Sequence, residues 1–142
     1  MATLERAIEI ATIAHKNQKD KTEAPYILHL IRVMQKGKSE VEKISGILHD
    51  LVEDTKWTFE EIEKEGFSKE VVDVLRLVTK ESEDEDYNHF INRIITNKTA
   101  ISVKLNDLGD NLDITRLNLL TNKDMVRLNK YLSAYNKLLQ NL

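Results

Sequence analysis

The chain of 142 residues carries 21 Lys and Arg against 24 Asp and Glu, for a net charge of −3, and it contains no cysteine. Disulfide bonds and thiolate metal sites are therefore excluded, and the lack of a basic tract argues against nucleic acid as a partner. No apolar stretch approaches the roughly 20 residues of a membrane span, so we expect no membrane partner and a cytoplasmic protein, with one domain over residues 1–142.

The first third of the chain has the apolar spacing of helices, which only 4 Gly and 1 Pro interrupt in the whole sequence. Apolar residues at helical spacing predict a first helix over residues 4–14. The polar residues 16–24 predict a loop. A second helix begins near Pro25, which suits a first helical turn, and Gly37 closes it.

Hydroxyl side chains predict where the next helices begin. Ser39 has capping-box spacing with the glutamate three residues on, and it opens a third helix that we expect to continue through residue 54. Thr58 repeats this spacing for a short helix that ends near Gly66, and Ser68 caps the helix after it.

The second half continues the helical pattern after an acidic run over residues 81–86, which we expect to be a solvated loop. One helix covers residues 87–95. Residues 99–105 alternate like a strand, but the spacing beyond them favours a helix that continues to about residue 112. Thr121 caps a last amphipathic helix, which suits packing on its own domain or on a second copy, so a homo-oligomer stays open. The predicted fold is an all-α, compact helical bundle.

A polar cluster interrupts the apolar stripe of the third helix. Residues 48–55 read Leu-His-Asp-Leu-Val-Glu-Asp-Thr. On a helix, His49 would lie over Glu53 and Asp50 over Asp54, because residues four apart are neighbours. Three carboxylates this close repel one another, and a bound divalent cation removes that conflict. The alternative is an ordinary solvated helix face.

Two other segments favour the metal interpretation. His29 lies among apolar residues on the second helix, and residues 103–112 hold Asp107 and Asp110 in an apolar frame. A histidine, a His-Asp pair and an aspartate on separate helices would form a site with two imidazoles and two carboxylates. Such a site suits Mn²⁺, Fe²⁺, Co²⁺ or Zn²⁺ better than Mg²⁺ or Ca²⁺.

The order His…His-Asp…Asp resembles the signature of the HD-domain metal-dependent phosphohydrolases. Within that group, the chain is most similar to the hydrolase domain of RelA/SpoT-type alarmone enzymes and to their small stand-alone relatives. The resemblance covers roughly residues 4–118. The matching segments are residues 25–29, 47–55, 58–62, 71–80 and 104–111.

The resemblance implies a role for each matching residue. The cofactor would be a divalent metal, with Mn²⁺ as the first choice. Glu53 and Asp54 would orient a water molecule and take its proton, and Lys21 and Asn111 would contact the substrate. Asp107 is preferred over Asp110 because of its place in the motif. The implied metal ligands are His29, His49, Asp50 and Asp107.

Some positions depart from the family pattern. Asp20 stands where the family has an arginine that packs on guanine, and an aspartate cannot stack on a purine as a cation does. Asp110 and Asp113 replace a histidine and an arginine of the later motif, which we expect to work against a heavily phosphorylated nucleotide. Whether His15 or Lys19 contacts the substrate stays open.

The function implied by the resemblance is a metal-dependent phosphohydrolase that acts on a phosphorylated nucleotide. Its specific form is a guanosine-3′,5′-bis(diphosphate) 3′-pyrophosphohydrolase, which degrades an alarmone. One alternative keeps the metal site for another nucleotide, such as a nucleoside monophosphate or the 2′-phosphate of NADPH. Another is a catalytically silent helical module that binds nucleotide or protein.

Overall fold

The computed structural model describes residues 1–142, which form nine α-helices and one short 3-10 helix. The predicted all-α bundle is confirmed, whereas the assignment of the chain to one domain stays a prediction. The α-helices are α1 Leu4–Ala14, α2 Ile27–Gln35, α3 Glu40–Leu48, α4 Leu51–Asp54, α5 Phe59–Lys64, α6 Lys69–Val78, α7 Tyr87–Ile94, α8 Lys98–Asn111 and α9 Asn122–Gln140, and the 3-10 helix is Ile114–Arg116.

Helix α3 lies at the centre of the bundle, where it contacts α1, α2, α6 and α8. Its residues Ile44, Ile47 and Leu48 belong to the main hydrophobic core. Helix α2 approaches α3 closely at Gly46, where a Cβ atom would lie 3.3 Å from the backbone of Met34. This contact sets α2, and with it the only histidine of α2, against the end of α3.

The predicted helix starts are present. Ser39 and Ser68 accept hydrogen bonds from the backbone N–H groups three residues on. Thr58 and Thr121 form full capping boxes with Glu61 and Asp124. Each box satisfies backbone donors that the first turn of a helix leaves free.

The third helix does not continue through residue 54 as predicted, because it breaks at His49 and Asp50. The His49 Nδ1–H donates to the carbonyl of Gly46 at 2.7 Å. In a continuous helix that carbonyl would accept the backbone N–H of Asp50. The imidazole N–H therefore replaces the backbone N–H of Asp50 at this carbonyl. Helix α3 ends at Leu48, and a new helix, α4, begins at Leu51.

Residues 99–105 lie within α8, which confirms the predicted helix over the strand-like alternation. Helix α9 packs on α7 and α8, and buries Ala134 and Leu138. Its other side exposes apolar residues such as Val126 and Leu132. None of the helices combines the length and the apolar character that a bilayer span requires.

Candidate functional site

Helical segments far apart in the sequence bring the predicted ligand residues together. His29 lies on α2, His49 and Asp50 form the turn between α3 and α4, and Asp107 lies on α8. Both histidines and Asp107 are buried. One ligand atom from each of His29, His49 and Asp50 lies within 4.8 Å of the others.

Asp107 completes the cluster. Its Oδ1 lies 3.0 Å from His29 Nε2 and 3.2 Å from His49 Nε2. Asp50 Oδ2 also lies 3.2 Å from His49 Nε2. Two imidazole nitrogens and two carboxylates thus converge on one point.

The outer hydrogen bonds determine which nitrogen of each ring carries a proton. His29 Nδ1 lies 2.6 Å from Asp110 Oδ2, and His49 Nδ1 lies 2.7 Å from a backbone carbonyl. Because both partners accept, both Nδ1 atoms carry hydrogen, and the Nε2 atoms of the neutral rings present lone pairs. His49 Nε2 is buried without a hydrogen bond. In the protonated rings Nε2–H faces these carboxylates, and a divalent cation would take the place of that proton, so the donor set fits a metal.

The cluster keeps its carboxylates ionised. Burial opposes this, but the neighbouring His49 and the Tyr26 hydroxyl hold the pKa of Asp50 at about 2. Burial likewise acts on Asp107, yet Lys104 and His49 hold its pKa well below the usual range. Burial lowers the pKa of His49, but Asp50 and Asp107 outweigh it and raise the pKa well above the ordinary value. A cation that displaces the histidine protons would therefore meet two ionised carboxylates.

Asp110, the alternative fourth ligand, lies behind His29. It bonds Nδ1, the ring nitrogen that faces away from Asp107. Arg32 Nε donates to the other carboxylate oxygen at 2.7 Å, and Arg116 donates to the Asp110 carbonyl at 2.7 Å. Asp110 thus orients an imidazole and is itself neutralised by guanidinium groups, a role that sequence reasoning missed.

Other side chains hold the carboxylates of the cluster. The Tyr26 hydroxyl donates to Asp50 Oδ2, and Lys104 Nζ donates to Asp107 Oδ2 at 2.9 Å. Asn111 Nδ2 donates to Asp107 Oδ1 at 3.2 Å. Tyr26 and Lys104 were not predicted as site residues, although Lys104 lies one helical turn before Asp107 and so faces the same way.

Glu53 and Asp54, the predicted catalytic pair, lie on α4 and are exposed at the mouth of the site. Glu53 Oε1 accepts the backbone N–H of Lys80 at 3.2 Å. Partial burial, together with the charges of Asp50 and Glu53, raises the pKa of Asp54 to about 6. Asp54 can therefore exchange a proton near neutral pH.

Two cavities open beside the cluster. The first, which we name the loop cavity, has a volume of about 430 Å³ and is lined by the loop that follows α1 and by α2 and α9. The second, which we name the lysine cavity, has a volume of about 190 Å³ and reaches Glu53 and Asp54. Tyr26, Asn111 and Tyr131 line both. The basic residues are Lys19, Lys21, Arg32, Arg116 and Arg127 in the loop cavity, and Lys80, Lys104 and Lys130 in the lysine cavity.

The aspartates that depart from the family pattern are bonded within their own segments. Asp20 Oδ1 accepts the backbone N–H groups of Thr22 and Ala24, at 2.8 and 3.1 Å. Asp113 accepts the backbone N–H of Thr115 and a guanidinium N–H of Arg116. The expectation that these carboxylates disfavour a phosphorylated ligand therefore weakens, because basic side chains outnumber them in the loop cavity.

Residues that precede the loop connect it to the cluster. His15 is buried at the end of α1, where Nδ1 lies 2.8 Å from Gln18 Oε1. Gln18 Nε2 then donates to the backbone carbonyl of Asp54 at 3.2 Å. This chain of contacts ties the loop that holds Lys21 to α4.

Two curated proteins that are similar to this chain have the same named activity. The guanosine-3′,5′-bis(diphosphate) 3′-pyrophosphohydrolase of Aquifex aeolicus is 36% identical over 120 residues, or 77% of this chain, but the chain spans only 17% of that protein. The guanosine-3′,5′-bis(diphosphate) 3′-pyrophosphohydrolase MESH1 of Drosophila melanogaster is 30% identical, over 95% of this chain and 82% of its own length.

The fold of a solved structure leads to the same group. A structure described as a metazoan orthologue of SpoT that hydrolyses ppGpp superposes with a TM-score of 0.80 and 29% identity, over 99% of this chain and 85% of that one. No family model matches. Identity and coverage this high place the present sequence in one group with these enzymes: the chain belongs to the guanosine-3′,5′-bis(diphosphate) 3′-pyrophosphohydrolase family.

Proposed function

We propose that this protein is a metal-dependent hydrolase that removes the 3′-diphosphate of guanosine 3′,5′-bis(diphosphate). The observation that carries the proposal is the convergence of two imidazole nitrogens and two carboxylates between cavities rich in basic side chains. A cation and an anionic substrate are the partners that this arrangement requires. Membership of the family supplies the identity of the nucleotide.

The metal would be held by Nε2 of both histidines and by one oxygen of each ligand aspartate, that is by His29, His49, Asp50 and Asp107. Mixed nitrogen and oxygen donors suit Mn²⁺ and its neighbours in the first transition row, and we propose Mn²⁺. The bound ion supplies Lewis acidity to a phosphoryl oxygen and to water. Tyr26 and Lys104 keep the ligand carboxylates in position.

The chemical step joins water to the phosphorus next to the ribose. Glu53 and Asp54 orient the water and accept its proton, because they lie at the same cavity as the ligand carboxylates. The bond between that phosphorus and the ribose 3′ oxygen breaks. The 3′ oxygen takes up a proton as guanosine 5′-diphosphate leaves, and the hydroxyl of the water ends on the pyrophosphate.

The loop cavity would take the nucleoside and its 5′-diphosphate. Its volume of about 430 Å³ is sufficient for a nucleotide, and Lys21 and Arg127 line it. Asn111 lies between the cavities, where it can contact the ribose. A cytoplasmic location accords with a nucleotide substrate of this kind.

A second candidate substrate is another phosphorylated nucleotide, such as a nucleoside monophosphate or NADPH. The observation that favours it is Asp20, whose carboxylate is bonded into its own turn where the family has an arginine for guanine. The metal cluster and the chemical step would be the same.

The test is release of pyrophosphate from guanosine tetraphosphate in the presence of Mn²⁺. Asp50→Ala should abolish both release and metal retention, whereas Asp73→Asn, which changes an exposed aspartate of α6, should leave both unchanged. If the wild-type protein binds Mn²⁺ but releases no pyrophosphate, the proposal that guanosine tetraphosphate is the substrate is wrong. Hydrolysis assays on other phosphorylated nucleotides then test the second candidate. An active, metal-loaded Asp50→Ala variant would refute the site itself.

A further inference from the structure

The basic side chains of the lysine cavity differ in their partners. Lys104 is bonded to Asp107 and is thus occupied by the metal cluster. Lys80 and Lys130 instead lie beside aromatic rings: Lys130 Nζ is 4.7 Å from the centroid of the Tyr87 ring, and Lys80 Nζ is 5.9 Å from the same ring. Two ammonium groups therefore share one ring, without a carboxylate between them.

The groups around the Lys130 ammonium disfavour its positive charge, and a bound anion would stabilise it. Burial, Lys80 and Lys104 all lower the pKa of Lys130, and none of these influences is a negative charge. The Tyr87 hydroxyl, which belongs to the same cavity wall, is buried without a hydrogen-bond partner. A phosphate group would neutralise the two ammonium groups and accept a hydrogen bond from the Tyr87 hydroxyl, so these groups together have the features of a phosphate site.

The substrate brings such a group to this place. If the phosphorus next to the ribose lies at the metal cluster and the nucleoside fills the loop cavity, the outer phosphate extends away from the loop. That direction leads into the lysine cavity, past Glu53 and Asp54. These two carboxylates repel a phosphate, so cations on the opposite wall are needed to hold it.

We propose that Lys130 of α9, together with Lys80 and the hydroxyl of Tyr87, forms a subsite for the outer phosphate of the 3′-diphosphate. The proposal rests on the proposed function for its substrate, but the subsite itself is a site for a diphosphate group. It would make the enzyme select a diphosphate over a monophosphate. Lys130 is a substrate-binding residue here and takes no part in the proton transfer.

The test compares Lys130→Gln with Lys137→Gln, which removes the same charge two helical turns along α9 and outside the lysine cavity. Lys130 is exposed at the cavity mouth, so the variant should fold. We expect Lys130→Gln to raise the KM for guanosine tetraphosphate about tenfold, as for one lost charge-assisted contact, with kcat within about twofold. Lys137→Gln should change neither.

A second readout does not depend on turnover. Calorimetry on protein loaded with one equivalent of Mn²⁺ gives the Kd of inorganic pyrophosphate and of orthophosphate. Lys130→Gln should raise the Kd of pyrophosphate about tenfold and the Kd of orthophosphate less than about twofold, because only pyrophosphate reaches the subsite. Tyr87→Phe should also raise the Kd of pyrophosphate more than the Kd of orthophosphate.

The outcomes separate the two proposals. If the wild-type protein does not hydrolyse guanosine tetraphosphate but Lys130→Gln selectively weakens pyrophosphate, the proposed function fails and the subsite stands. If the wild-type protein is active and Lys130→Gln behaves like Lys137→Gln in both readouts, the subsite is refuted and the function stands. Wild-type protein that binds pyrophosphate no better than orthophosphate also refutes the subsite.

Discussion

Asp110 illustrates how much one buried carboxylate does at this site. Its carboxylate accepts hydrogen bonds from the outer nitrogen of His29 and from Arg32, and these outweigh burial and hold its pKa far below the usual range. Arg116 donates to its backbone carbonyl. The ring it orients presents Nε2 to Asp107 at 3.0 Å. Partners behind a metal ligand commonly set both its tautomer and its basicity.

Asp110→Asn should weaken Mn²⁺ binding by about 10- to 100-fold, because the amide leaves His29 without its anionic partner. Calorimetric titration with Mn²⁺ measures the change. Asp113→Asn is the matched control, since Asp113 bonds only Thr115 and Arg116. Equal Mn²⁺ affinity in the two variants would refute the orienting role.

The proposed role of Glu53 can be separated from those of the proposed metal ligands by an isosteric change. Glu53→Gln should keep Mn²⁺ and lose at least about 100-fold in kcat, because the amide cannot accept a proton from water. The measurement is pyrophosphate release beside metal analysis. Glu83→Gln in the exposed acidic loop is the control, and a wild-type rate for Glu53→Gln would show that another group activates the water.

Part of the site was readable from single residues. His49 and Asp50 stand out because polar side chains inside an apolar stripe need a partner. His29 and the segment with Asp107 and Asp110 stand out in the same way, and the resemblance favoured Asp107 over Asp110. Arg127, Lys130 and Tyr131 were not predicted, because their role arises only when α9 packs over the cavities, and nothing in their local sequence differs from an ordinary helix surface.

At the level of elements, the loop over residues 81–86 is more firmly held than its composition suggested. The prediction of a solvated acidic loop is wrong for Glu85, whose side chain is only 4% exposed. Arg93 of α7 donates to both of its carboxylate oxygens, at 2.7 and 2.8 Å, and also to the carbonyl of Thr79. These contacts hold the loop in place between α6 and α7, next to Lys80.

This ion pair predicts a pH dependence of stability. Hydrogen bonds from Arg93 lower the pKa of Glu85 to about 2. The contribution is therefore complete above about pH 4.5, the ordinary glutamate value, and is lost as the pH falls towards 2. Glu85→Gln should lower the free energy of unfolding by about 1.5 kcal/mol at pH 7, and the difference from wild type should shrink between pH 4.5 and 2.5.

Denaturant unfolding at a series of pH values measures that difference. Glu83→Gln again serves as the control, because its side chain is exposed. A difference between Glu85→Gln and wild type that stays constant from pH 7 to pH 2.5 would show that the carboxylate charge does not contribute.

The break between α3 and α4 was not predicted from the sequence. Helical spacing of apolar residues does not show that the His49 side chain competes for the carbonyl of Gly46.

For the whole molecule, the ligand cluster joins segments that are distant in the sequence. His29 and Asp107 are 78 residues apart, yet their ligand atoms lie 3.0 Å from each other. A bound cation would therefore hold α2, α8 and the turn after α3 together. The helical bundle itself was predictable, because apolar spacing and caps specify it at every step. Polar residues on separate helices suggested the long-range convergence and the family motif supported it, but the distances depend on how the helices pack.

Mn²⁺ should raise the thermal stability of the protein. A ligand at 100 times its Kd stabilises the folded state by about 2.7 kcal/mol, which corresponds to a rise in Tm of about 8 °C for a chain of this size. Differential scanning fluorimetry with and without Mn²⁺ measures the shift. Asp50→Ala should reduce it to below about 1 °C, and a shift of equal size in that variant would place the stabilising ion elsewhere.

Helix α9 has a consequence for how such proteins diverge. It reaches both cavities through Arg127, Lys130 and Tyr131 but contributes none of the four ligand residues. Part of the choice of substrate would thus be encoded apart from the proposed reaction centre. Substitutions in the codons of α9 would then alter which nucleotide is accepted while the residues proposed to hold the metal are inherited unchanged.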